Sequence, residues 1–259
     1  MCLAIVALNV HPRYALVVAA NRDEYHARPT APAQWWSGDA GEIPLLAGRD
    51  LEAGGTWLGV TRSGRWGFVT NVREGFRRDP AAPSRGSLVP RVLRDKRDPQ
   101  TALASAIADA VYYNGFNLMV GDVASACWGS NRGEEGCSFM TGVHGLSNAR
   151  LDTPWPKVAR TQAGVAAWAL EARDDIEPLF ALLSDRARAR DDELPETGVS
   201  LEWERVLSAP FITGEHYGTR CSTVLCISHE GKARFVEQSF DAHGEPAGRV
   251  DTAFTLAAA

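Results

Sequence analysis

Leu3-Ala4-Ile5-Val6-Ala7-Leu8-Asn9-Val10, the turn His11-Pro12-Arg13, and Ala15-Leu16-Val17-Val18-Ala19-Ala20 closed by Asn21-Arg22-Asp23-Glu24 form the stretch on which the fold turns. Two apolar runs joined at a proline-containing turn predict a buried antiparallel hairpin. With Pro12-Arg13 at its centre, facing positions sum to about 24 or 25, which sets Cys2 opposite Arg22 or Asp23 at about 5.5 Å between Cα atoms. A thiol, a guanidinium and a carboxylate then meet at one end of the hairpin, in a register that names neighbours and not hydrogen bonds.

Position 2 has chemical meaning of its own. Cysteine is small enough for Met1 to be removed, which would leave a free α-amino group, ordinarily of pKa about 7.7–8.0, on the residue that carries the thiol. One residue then supplies both nucleophile and base, and a nearby arginine would hold the thiolate or a developing oxyanion. The bland alternative for Cys2 is a buried cysteine beside a frayed terminus.

Outward from this hairpin, residues 27 to 56 read as an ordered loop, with Pro29, Pro32, Pro44 and Gly54-Gly55 among Trp35 and Trp36. Thr56 to Val60 and Trp66 to Asn71 flank Ser63-Gly64-Arg65 and predict a second hairpin. Helices are expected over Ser87 to Arg97, Thr101 to Tyr112, Trp155 to Arg173 and Ile176 to Arg190, the first two capped by their Ser and Thr. Phe116 to Val120 and Ala124 to Trp128 read as strands, and Cys221 to Ser228 with Ala233 to Phe240 as a last hairpin. Strands, then helices, then strands indicate an α+β fold with sheet packed on sheet and helices outside. No repeat or linker interrupts the chain, so residues 1–259 are read as a single domain.

Of the 259 residues, 45% are apolar and 23% charged, ordinary values for a packed soluble protein and incompatible with wholesale disorder. Net charge is −5, and the arginine-rich stretches have acids beside them, which argues against a nucleic-acid partner. No apolar window approaches the length of a membrane span, and no signal peptide is expected. Five cysteines without CxxC spacing indicate neither a disulfide framework nor a zinc ribbon, and suit a reducing cytoplasm. The six histidines show no HxH or HExxH spacing, so no metal site is expected. Oligomeric state is not legible.

Met1-Cys2 and Ala19-Ala20-Asn21-Arg22-Asp23-Glu24 resemble the NRDE family, also called the transport and Golgi organisation protein 2 family. Further blocks resemble it in order: Gly54-Gly55-Thr56-Trp57-Leu58-Gly59, Thr70-Asn71, Tyr113 to Leu118, Asn131-Arg132-Gly133, Gly145-Leu146-Ser147-Asn148, Thr153 to Lys157 and Tyr217-Gly218-Thr219-Arg220. The resemblance implies a four-layer αββα sandwich similar to N-terminal nucleophile hydrolases. Cysteine-dependent acylases of that superfamily have a comparable layout, and by that likeness the candidate catalytic residues are Cys2, Arg22, Asp23, Asn71, Asn148 and Arg220. The adjacent Arg22-Asp23 departs from those acylases, which place residues between the two, so Asp23 matches less closely than Arg22. Asn71 and Asn148 would donate to an oxyanion or orient the α-amine, and Arg220 would support charge. Both asparagines could instead satisfy backbone at turns, and Arg220 could be an ordinary ion pair. Asn21 and Glu24 are expected to cap and solvate the hairpin end.

Two functions follow from this reading. One is cleavage of a linear amide, thioester or ester in a small apolar or acyl-type molecule, with no cofactor required. The other is a non-enzymatic binding or trafficking role for haem or a lipid or acyl-CoA ligand, the context in which the family is discussed. A familiar haem motif is not written in the chain, since there is no CxxCH. Of the Trp35, Trp36, Trp57 and Trp66 side chains, most are expected in the core, with aromatic walls suiting an apolar substrate.

Overall fold

A computed structural model describes residues 3–36, 41–75, 79–133 and 136–257. The first hairpin is β1 (Leu3–Leu8) and β2 (Tyr14–Tyr25), antiparallel, with Leu3 opposite Asn21 and Leu8 opposite Leu16. Facing positions therefore sum to 24, within the expected register. Every residue of β1 is buried because both faces are covered. Ala4, Val6 and Leu8 point into the layer between two sheets, while Leu3, Ile5 and Ala7 point the other way, under helices. This is why the run reads as continuously apolar and not alternating.

Among the described residues the strands make two antiparallel sheets. The first continues from the hairpin with β10 (Gly142–Leu146), β11 (Tyr217–Ser228), β12 (Lys232–Phe240) and β13 (Pro246–Thr255), in the order β10-β1-β2-β11-β12-β13. The second is a meander of β3 (Thr30–Trp36), β4 (Leu45–Asp50), β5 (Leu58–Thr61), β6 (Trp66–Asn71), β7 (Phe116–Gly121), β8 (Ala126–Ser130) and β9 (Cys137–Phe139). Their inner faces meet in one core containing Val6, Val18 and Leu225 from the first sheet and Leu58, Val60, Phe68 and Met119 from the second. Helices α3 (Pro156–Leu170) and α4 (Glu177–Leu183) cover the outer face of the first sheet, and α1 (Leu88–Arg94) and α2 (Pro99–Ala108) that of the second. The result is the four-layer αββα sandwich expected. No helix among the described residues is long and apolar enough to cross a membrane.

Several elements differ from expectation. Residues 27 to 56 are not all loop but hold β3 and β4. Pro32 is accommodated because β3 is an edge strand whose register shifts between Ala31 and Gln34. Helix α2 starts at Pro99, and its cap is Asp98, whose carboxylate accepts from the Thr101 amide at 2.9 Å. The Ser87 hydroxyl does not cap α1; it donates to the Ser84 carbonyl at 2.7 Å. Helix α4 stops at Leu183, well short of Arg190. The short strands β9 and β10, the edge strand β13, and α5 (Leu201–Leu207), which is capped by the Ser200 hydroxyl, are additions.

Candidate active site

The end of β2 carries four polar residues that diverge in purpose. Asn21 is fully buried: its Nδ2 donates to the carbonyls of Leu183 and Pro210, each at 2.8 Å, and its Oδ1 accepts the Ser222 hydroxyl at 2.6 Å. It ties the end of α4 and the segment after α5 to the sheet, and so corrects the expectation of a solvated cap. Glu24, half-buried, accepts from the Tyr25 amide at 3.0 Å and stands 3.8 Å from Arg22.

Arg22 is 4% exposed. Its Nη1 donates to the Thr30 hydroxyl on β3 at 3.2 Å, and its guanidinium carbon lies 4.5 Å from the ring centroid of Trp57, which leads into β5. A cation from one sheet is thus seated on an aromatic face and a hydroxyl from the other. Asp23, equally buried, accepts the Thr219 hydroxyl at 2.7 Å, and that oxygen in turn accepts the Ile212 amide at 2.9 Å.

These groups open into a cleft of about 390 Å³ whose wall includes Arg22, Asp23, Trp57, Val69, Asn71 and Arg85. One side is built by a charged knot in which Arg28 donates to Asp50 at 2.7 Å and pairs with Glu52 at 3.0 Å. Burial disfavours the Asp50 carboxylate, but the Arg28 hydrogen bonds and charge outweigh it and hold the carboxyl below its ordinary value. Of the four tryptophans, only Trp57 lines this cleft. Trp36 and Trp66 are buried in cores, and Trp35 packs edge-on against Phe254 at 5.2 Å. The walls are mostly polar, and the tryptophans are largely in the cores, as expected. The far side is pinned at a crossing of two backbones. Thr56 donates to the Gly86 carbonyl at 3.0 Å, and a Cβ on Gly55 would sit 2.4 Å from the Gly86 carbonyl carbon.

Asn71 closes β6, half-buried, on the boundary between this cleft and an adjoining one of about 200 Å³. Asn148 borders only the second of these two, and its Nδ2 donates to the Asn71 carbonyl at 2.9 Å while its Oδ1 accepts the Ser147 hydroxyl at 3.2 Å. Its amide therefore serves the backbone, one of the two readings left open above. Arg220 does not line the main cleft and, among the described residues, makes no ion pair: its Nη1 donates to the carbonyls of Tyr25, His26 and Arg28 at 3.0, 3.2 and 3.1 Å, collaring the turn between β2 and β3. Burial, and then the charge of Arg22, push its pKa down. Of the candidate residues, then, Arg22, Asp23 and Asn71 share the cleft, Asn148 reaches it through Asn71, and Arg220 supports it from behind. Cys2 lies outside the described residues; it precedes Leu3, which faces Asn21, the neighbour of Arg22.

The four described cysteines hold their thiol protons more firmly than a free cysteine does. Burial pushes the thiols of Cys127 and Cys137 up, Cys221 well up, and Cys226 to about 12. Among the described residues no group of three or more His, Cys, Asp or Glu side chains is placed to hold a metal. Sequence reading missed the groups that hold Arg22 and Asp23, although Trp57 and Thr219 stood within the quoted blocks.

The sequence profile described as Transport and Golgi organisation 2 matches residues 1–242. The chain belongs to the transport and Golgi organisation 2 family. Family members include the Transport and Golgi organization 2 homolog of Mus musculus, 32% identical over 92% of this chain and 93% of the relative. The Drosophila melanogaster protein, Transport and Golgi organization protein 2, is 28% identical over 95% of each. Among solved structures, the Caenorhabditis elegans N-acylethanolamine-hydrolyzing acid amidase ortholog superposes with a TM-score of 0.53 at 13% identity, covering 86% of this chain and 92% of that one. A mutant conjugated bile acid hydrolase from Clostridium perfringens gives 0.52 at 9% identity, covering 99% and 92%. The chain therefore shares the fold of these hydrolases, with Arg22 and Asp23 at the end of β2.

Proposed function

We propose that this chain is a hydrolase that cleaves a linear amide, or a thioester or ester, through an acyl-thioester on Cys2. The observation that carries the reading is the burial of Arg22 and Asp23 at the mouth of a cleft, one strand away from where β1 begins. A buried cation and a buried carboxylate are costly to keep unless they hold charge for a purpose. The raised pKa of every described cysteine leaves Cys2 as the thiol to consider.

With Met1 removed, the α-amine takes the proton of the Cys2 thiol, and the thiolate attacks the carbonyl carbon. Negative charge gathers on the carbonyl oxygen, opposite which Arg22 and the Asn71 amide supply stabilisation. When the C–N bond breaks, the α-ammonium returns its proton to the departing amine. Water, deprotonated by the same amine, then attacks the thioester, releasing a carboxylic acid and restoring the thiol. Asp23 holds the α-ammonium, Asn148 fixes the strand end that bears Asn71, and Arg220 fixes the turn after Arg22. Trp57 and Val69 suit an acyl group, and the charged remainder of the wall a polar leaving group. The sequence requires no cofactor, and the free thiols suit the cytoplasm.

Brief exposure to a p-nitrophenyl acyl ester, followed by intact mass and peptide mapping, tests this. An acyl adduct on Cys2 that hydroxylamine removes, absent from Cys2→Ala, is expected. Acylation that is unchanged in Cys2→Ala overturns the proposal. In that case haem or lipid titration of the folded protein would measure the binding role instead.

A further inference from the structure

One buried acid is unused by the mechanism above. Glu237, on β12, is 1% exposed and lies on the inner face of the first sheet, opposite Thr223 and diagonal to Cys221. Cys221 is in turn opposite Arg22 on β2. The Glu237 Oε1 accepts the Ala33 amide of β3 at 2.8 Å, and its Oε2 accepts the Thr223 hydroxyl at 3.4 Å; the Cys221 thiol is a further donor. The register shift between Ala31 and Gln34 takes Ala33 out of the β4 ladder and leaves its N–H for this purpose. A Cβ on Gly48 would lie 2.3 Å from the Trp57 ring and 3.1 Å from Glu237 Oε2, so the two side chains meet over a position that only glycine leaves open.

The strand that Glu237 holds across the inter-sheet layer, β3, also holds Arg22 through the Thr30 hydroxyl, and Trp57, whose ring lies on the other side of Gly48, holds it through its face. We infer that Glu237 is a positioning residue of the candidate site, fixing the Arg22 guanidinium from the interior side by clamping β3, the strand that carries Thr30. The consequence for chemistry rests on the function proposed above; the clamp itself does not. The titratable groups acting on Glu237 are Arg22 from β2 and Cys221 from β11, while β3, β4 and the segment before β5 present Ala33, Gly48 and Trp57. Burial pushes the carboxyl up to about 7, against the pull of the Ala33, Cys221 and Thr223 hydrogen bonds and of Arg22. The clamp therefore changes charge near neutral pH, beneath the cation of the site.

The test is carboxyl 13C NMR of glutamate-labelled full-length protein, with the Glu237 resonance assigned by its loss in Glu237→Gln. A midpoint near neutral is expected in the wild type, rising by at least about half a pH unit in Arg22→Met and largely restored in Arg22→Lys. A midpoint in the ordinary glutamate range, or one unmoved by Arg22→Met, overturns the inference. Should Arg22→Met fail to fold, Thr30→Val, which removes one contact of the guanidinium, takes its place with a smaller rise expected. A second readout is the alkylation rate of Cys2 by iodoacetamide between pH 5.5 and 8.5, with Cys137 as internal reference. Glu237→Gln should shift the Cys2 profile, in which the thiol and α-amine also titrate, and leave the Cys137 profile unchanged; superimposable Cys2 profiles overturn the positioning role. If the NMR coupling holds while no acyl-Cys2 is ever trapped, the hydrolase proposal falls and the clamp stands.

Discussion

The guanidinium of Arg22 lies over the indole of Trp57, 4.5 Å from its ring centroid, and joins the two sheets at the cleft. Arg22→Lys keeps the charge but gives up the planar stack and the fork that meets Thr30. We expect a stability loss of about 1–2 kcal/mol in urea denaturation, the scale of a desolvated cation–π contact. The rate of Cys2 acylation should fall by more, about a hundredfold or beyond, equivalent to about 2.7 kcal/mol or more of barrier. Equal losses in the two measurements would make Arg22 structural alone.

Intact mass of cytoplasmically produced protein should show Met1 absent, because the proposed base is the α-amine of Cys2. Peptide mapping after brief iodoacetamide treatment near pH 7.5 should find Cys2 labelled first. Burial raises the other four thiols, even that of exposed Cys137. Fully active protein that retains Met1 contradicts the amine's role, and faster labelling at Cys137 contradicts the nucleophile's.

Thr219 is a relay, accepting from Ile212 and donating to Asp23. Thr219→Val preserves shape and removes both bonds. The loss of a hydroxyl beside a buried carboxylate should cost about 1–3 kcal/mol. It should also slow acyl transfer if Asp23 orients the amine. A denaturation midpoint equal to that of the wild type would show that the relay carries no stability.

Glu237 gives a stability profile with a definite sign. Its folded pKa of about 7 exceeds the ordinary value of 4.5, so the folded state binds more protons between these values. Its contribution is therefore fully present below about 4.5 and is lost as pH rises through 7. At 1.36 kcal/mol per unit, the change has an upper limit of about 3 kcal/mol. Urea denaturation at pH 5 and pH 7.5 should show a wild-type decline that Glu237→Gln lacks; parallel declines in both proteins would rule it out.

The first hairpin was legible because both faces of β1 and β2 are buried, so apolar content and turn position alone set its register. Arg22 and Asp23 followed from that register. Their holders did not, since Thr30 and Trp57 arrive by the packing of the second sheet on the first, and Thr219 and Glu237 by lateral pairing of strands far along the chain, neither of which carries a local signal. β13 was hidden because an edge strand with exposed alternate positions reads as polar loop, and β3 because its proline suggested a turn. Asn71 and Asn148 entered as candidates through the family resemblance, while the hydrogen bond between them, amide to carbonyl, depends on geometry no spacing rule contains.

At the crossing of Gly55 and Gly86, two walls of the cleft touch through bare backbone. The aperture there is set by the width of a peptide group, and a single methyl on Gly55 would act as a wedge. Repacking the distant core would leave this gauge unchanged. Selection by size on that side, under the function proposed, therefore falls to the side chains around the crossing, those of Arg28 and Arg85 among them.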